Sequence, residues 1–151
     1  MPTVSLETAT LLVKIAFLVG AVTDGLAIIP MLSRRAGVAI FGGDASKDSA
    51  AYRYAMGIGA ALMAGWTVLL LWGAANPIER RDILLLTVFP VITGIVLATV
   101  VAARNRAVLP SRVVPLWIHL GFVSIFYIAA YVLSVPFALP SDNYFSPAAR
   151  P

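Results

Sequence analysis

Four long apolar runs organise the chain, at 11–32, 55–72, 83–103 and 116–135, each of 18 to 22 residues. As helices rising 1.5 Å per residue they reach about 27–33 Å, the depth of a bilayer's hydrocarbon core. The first run is too long, and begins too late, for the core of a signal peptide, so it is expected to remain in the mature protein. The pattern predicts an all-α membrane protein, an antiparallel four-helix transmembrane bundle forming one domain over 1–138. A proline-rich tail, 139–151, follows.

The polar stretches between the runs supply helix ends. Gly73 is expected to close the second helix in a left-handed conformation, and Asn76-Pro77-Ile78-Glu79 to open the third as N-cap, N1 proline and reciprocal carboxylate. Asp44 to Ser49 offers N-caps for the second helix, and Ser111 or the residue before Pro115 for the fourth. Short connections make neighbours antiparallel. The first connection sets Arg34 and Arg35 beside an apolar patch flanked by glycines, and is expected to lie along the membrane surface.

Basic residues set the orientation. Connections one and three hold Arg34, Arg35, Lys47, Arg53, Arg104, Arg106 and Arg112, whereas the opposite side holds Arg80, Arg81 and Arg150. Seven against three predicts both termini, and hence the tail, on the side of the membrane away from the cytoplasm.

Composition narrows the chemistry. Hydrophobic residues make up 60% of the chain and charged ones 12%, unlike any soluble domain. With no cysteine there is no disulfide framework, thiolate metal site or dithiol chemistry, and a single histidine excludes a bis-histidine haem within one chain. No metal site is indicated, and the sequence does not identify a cofactor. The net charge of +4 belongs to the lipid-facing loops, and no nucleic-acid surface is expected.

Asp24 is the most informative residue. It sits fourteenth in a 22-residue apolar run, where a carboxylate costs about 2.5–3.5 kcal/mol. Gly20, Thr23, Asp24 and Ala27 share one small, polar helix face, so Asp24 is expected to point into the bundle. Arg53 and His119, in the same half of the membrane, are its candidate partners, and a water-mediated cluster suits them better than a tight ion pair because helical side chains lean towards their own N-terminus. Two roles stay open: a ligand or proton site, or a buried carboxyl that merely ties helices together. His119 has the further alternative of an interfacial residue, and Lys14 is expected to snorkel to the headgroups.

Two further features concern packing. Gly57, Ala61 and Gly65 form a stripe at i+4 spacing that lets another backbone approach, either the first helix or a second copy. Pro90 should kink the third helix, with Thr87 or Thr93 satisfying a freed carbonyl. Trp66, Phe126 and Tyr127 are then either plain core or the lining of a space for a flat apolar ligand. Trp72 and Trp117, at span ends, are expected to anchor at the interface.

Pro30, Phe41-Gly42-Gly43, the stretch from Tyr52-Arg53-Tyr54 through Gly57-Ile58-Gly59-Ala60, and Gly65-Trp66 together resemble small four-span bacterial proteins of the DoxX-like kind, over residues 12 to 103. The resemblance implies an inner-membrane component, a few such proteins being associated with quinone-linked oxidoreductases; Arg53 matches their arginine, whereas Asp24 and His119 match no motif.

The sequence therefore favours an accessory subunit of a membrane oxidoreductase, or a binder of a small apolar ligand such as a quinone or lipid. Its site would be Asp24, Arg53, His119, Thr23 and Tyr127, and its partners the bilayer and either a homo-oligomer or a larger membrane complex. The alternative is a small proton-coupled transporter working as a homodimer through Asp24. Enzymatic activity has less support, since no nucleophile motif, phosphate loop or metal spacing accompanies the acid and the histidine.

Overall fold

A computed structural model of the chain describes residues 4–41, 49–105 and 110–137, with the side chains of 38, 39, 41, 110 and 112 left aside. The expected tail at 139–151, together with Lys47, Arg106 and Arg150, lies outside them. Six α-helices follow in order: α1 (Leu6–Leu32), α2 (Arg34–Phe41), α3 (Ala50–Ala75), α4 (Asp82–Leu86), α5 (Thr93–Arg104) and α6 (Pro110–Ser134). A π-helical stretch, Thr87–Ile92, joins α4 to α5. No strand occurs among the described residues. Four helical segments, Leu6–Leu32, Ala50–Ala75, Asp82–Arg104 and Val113–Phe137, are long and apolar enough to cross a membrane. The protein is a small multi-pass membrane protein.

Caps extend the first two spans beyond their apolar runs. Ser5 Oγ accepts from the Thr8 backbone N–H at 3.2 Å, and Ser49 Oγ from that of Tyr52 at 3.1 Å. Each satisfies an N–H that the first helical turn leaves unbonded. The expected hairpin chemistry is not what joins the second and third spans. α3 runs on to Ala75, so Gly73 is an interior helix residue, and Asn76 caps the end of α3 instead of opening the next helix. With its amide nitrogen facing the Ala75 carbonyl, the Asn76 side-chain oxygen accepts from Arg80 Nη2 at 3.2 Å. That oxygen is thus taken by the arginine and not by an N-terminal N–H, and the third span begins at Asp82.

The third span breaks at its proline. Phe89 leaves the helical region (φ −119°, ψ 104°), and the Phe89–Pro90 peptide is cis. Proline has no N–H to give the preceding turn. Thr93 Oγ1 donates to the Val88 carbonyl at 3.0 Å, beside the break, whereas Thr87 Oγ1 donates to the Ile83 carbonyl at 2.8 Å, which its own backbone N–H already reaches within α4.

The four spans share one core. Val13, Ala16, Phe17 and Ala21 of α1 meet Leu70 and Ala74 of α3, Ile83, Leu84, Val88 and Ile92 of the third span, and Leu120, Val123, Tyr127 and Ala130 of α6. The α6 positions recur at intervals of three and four, one face of a helix. α1 packs most extensively on α3 and next on α6, and α6 also receives the third span. Trp66 Nε1 donates to Thr87 Oγ1 at 3.2 Å, tying α3 to the third span, and Trp117 Nε1 donates to Thr99 Oγ1 at 2.8 Å, tying α6 to α5. Trp117 is thus a half-buried tie between helices more than a free anchor. The outer faces stay apolar: Phe122 is 71% and Ile125 72% exposed. Such a girdle is at home in acyl chains and not in water.

Candidate functional site

The site is built on the second half of α1. Positions 20 and 24 stack one turn apart on the same face, and a helical side chain leans towards its own N-terminus, which carries the Asp24 carboxyl back over the turn of Gly20. Gly20 is buried, and the space its missing side chain leaves is taken by Tyr127 of α6. A Cβ there would collide with the phenol oxygen and lie 3.2 Å from Tyr127 Cζ and 3.1 Å from Leu70 Cδ1. Three helices converge at this point: α1 with Gly20 and Asp24, α3 with Leu70, and α6 with Tyr127. Gly25, next along α1, faces Thr67 Cγ2 of α3 at 3.9 Å from its would-be Cβ.

Tyr127 is fully buried, and its hydroxyl has no hydrogen-bond partner; Asp24 Oδ2 is buried and likewise unpartnered. The two atoms are not bonded to each other. A buried polar atom left unsatisfied costs about 1–3 kcal/mol. Two such atoms, presented from different helices in an otherwise apolar core, form a polar spot with unmade bonds. Chemically it offers one O–H donor and one carboxylate acceptor, or two donors when the carboxyl carries a proton.

The other expected members are placed elsewhere. Thr23 is half-buried and its hydroxyl donates to the Val19 carbonyl of its own helix at 2.8 Å. Arg53 is exposed near the start of α3. Since Thr67 lies level with Gly25, Arg53, fourteen residues earlier on the same helix, is displaced along the axis by about 21 Å, beyond the reach of its side chain to Asp24. His119 is exposed too, because Leu120 beside it faces inward and one residue turns a helix by about 100°. Trp66 and Phe126 pack against the core as partly buried rings.

The stripe on α3 turns away from α1. Gly57 and Gly65 have no atom within 4 Å of a would-be Cβ, and Ala61 is exposed. The close approach to α1 uses a different face: Gly73, whose Cβ would lie 2.6 Å from Phe17 Cε1, and Gly59, 3.7 Å from Met31 Sδ. Leu70 is not singled out in the sequence, and Gly73 is read there as a helix end and not as a packing position. Their signal is the run 63, 66/67, 70, 73/74 at helical spacing, which the more conspicuous glycines at 57 and 65 obscure.

Among the described residues, no three histidine, aspartate or glutamate side chains come together as metal ligands. No known family model matches the chain, and neither a curated protein nor a solved structure is detectably similar to it.

Proposed function

We propose that the protein binds a small, largely apolar ligand through one polar group held between Asp24 and Tyr127, with a quinone or a lipid as the ligand class. The observation that carries this is the pair of buried, unpartnered polar atoms presented by α1 and α6. A protonated Asp24 and the Tyr127 phenol would both donate to a carbonyl oxygen, the hydrogen-bonding group a quinone offers. The four spans would form an antiparallel bundle in the inner membrane with both termini extracytoplasmic, on the basic-residue count. The DoxX-like order of features supports a place beside a quinone-linked oxidoreductase as an accessory subunit.

The test is the protein purified in mild detergent, with its absorbance spectrum and its co-purifying small molecules identified by mass spectrometry. Tyr127→Phe and Asp24→Asn are the diagnostic variants. A ligand site predicts that both fold but lose the co-purified molecule, while a purely structural site predicts the same small molecules in all three proteins. Absence of any bound molecule, together with no binding of an added short-chain quinone, rejects the proposal.

A second reading, a proton-coupled transporter acting as a homodimer through Asp24, is supported by the open face at Gly57, Ala61 and Gly65, where a second copy could approach closely. It predicts that Asp24→Asn abolishes transport in vesicles while leaving the dimer intact. A monomeric wild-type protein in bilayers excludes it.

A further inference from the structure

Arg80 and Arg81, in the turn between α3 and α4, are held in an unusual way. The Arg80 guanidinium lies 3.6 Å from the Trp72 ring centroid, and its Nη1 donates to the Trp72 carbonyl at 2.5 Å. Arg81 lies 5.7 Å from the ring centroid of Tyr131, on α6, and its Nη1 donates to the Ile78 carbonyl at 3.3 Å. Aromatic faces and neutral oxygens fix both side chains. The neighbouring carboxylates, Glu79 and Asp82, are exposed, and neither is ion-paired to these arginines among the described residues. Arg81 Nε is buried without an acceptor.

We propose that this pair holds the phosphate of one anionic membrane lipid. Each guanidinium carries five N–H donors. Arg80 uses two, to Trp72 and Asn76, and Arg81 uses one, so most of the donors and both charges remain uncompensated. Planar guanidinium forks match phosphate oxygens, and stacking on a ring orients the fork in advance. Depth selects a lipid as the source. Trp72, in the last turn of α3, is half-exposed, near the depth where tryptophans mark the headgroup level, and the arginines folded back over it and Tyr131 share that level. One turn further into the spans, Val68 below Trp72 and Ile128 below Tyr131 present exposed apolar side chains along which acyl chains can lie. None of the residues around Asp24 takes part in this lipid site, which is independent of the ligand proposed there.

The test takes the full chain in dodecyl maltoside and equilibrates it with mixed micelles containing equal amounts of phosphatidylglycerol and phosphatidylcholine of matched chains. Native mass spectrometry then counts the retained lipids. The wild type should retain phosphatidylglycerol over phosphatidylcholine by on the order of tenfold. R80Q/R81Q should bring that ratio close to one, while R53Q, at the far end of α3, leaves it unchanged. R80K/R81K keeps the charge, and with it the solubility and fold, but should lower the ratio severalfold because lysine lacks the planar fork. Equal retention of the two lipids by the wild type overturns the proposal, as does an undiminished preference in R80Q/R81Q or in R80K/R81K. A final arm adds millimolar inorganic phosphate: phosphatidylglycerol that stays bound supports the lipid, and its complete displacement shows a site for the free ion instead.

Discussion

Replacing Gly20 by alanine tests the convergence of α1, α3 and α6 directly. The added methyl would occupy the place of the Tyr127 hydroxyl and press on Leu70 Cδ1 and Tyr127 Cζ at 3.1 and 3.2 Å. Tyr127 is fully buried and cannot swing aside, so the ring or α1 must shift, and overpacking of this kind costs about 1–3 kcal/mol, here towards the upper end. Tyr127→Phe alone removes a buried hydroxyl that bonds to nothing, a group whose burial costs about 1–3 kcal/mol, so that variant should be as stable as the wild type or more so. In the phenylalanine background the severe contact is gone and only the two contacts above 3 Å remain. Gly20→Ala should then cost less than about 1 kcal/mol, giving a coupling of 1 kcal/mol or more between positions that touch. Unfolding of the four proteins in mixed micelles of dodecyl maltoside and dodecyl sulfate measures the cycle. Equal costs of Gly20→Ala in both backgrounds would refute the placement of the phenol over Gly20.

Other substitutions separate the two faces of α3. Gly73→Ala should destabilise by about 2 kcal/mol, because its Cβ would meet the fully buried Phe17 ring at 2.6 and 2.7 Å, whereas Gly57→Ala should be neutral or add up to about 1 kcal/mol through helix propensity. The same micelle titration ranks them, and a Gly57→Ala loss as large as that of Gly73→Ala would contradict it. Trp66→Phe should cost about 1 kcal/mol by removing the bond to Thr87, whose hydroxyl keeps its own bond to Ile83. Cysteines at the exposed positions 5 and 111 check orientation: an impermeant thiol reagent applied to intact cells should label Ser5→Cys and not Ser111→Cys.

The spans were legible because lipid demands uninterrupted apolar length, and no other element satisfies four runs of that size. Their ends were less so. Asn76-Pro77 is a good N-cap sequence, but Trp72 one turn earlier offers Arg80 a ring and a carbonyl, and that contact reassigns the asparagine. Asp24 announced itself by the cost of placing it in an apolar run, and Tyr127 lay on the inward spacing of α6. The partners expected for Asp24 failed on geometry that composition does not carry. His119 stands one residue off the inward face, and Arg53 lies on a stretch of α3 that projects beyond α1, since Met31 near the end of α1 is level with Gly59. A stripe of glycines shows that a close approach is feasible without saying by what.

Large side chains of one helix sit over glycines of the next: Phe17 over Gly73, Met31 over Gly59, Tyr127 over Gly20. Such knobs act as detents. To slide α1 along α3 by a turn, Phe17 would have to leave the notch at Gly73 and ride over positions that carry a side chain in a close-packed core. Shear along this pair is therefore blocked. A working motion is expected to carry α1 and α3 together against the third span and α6.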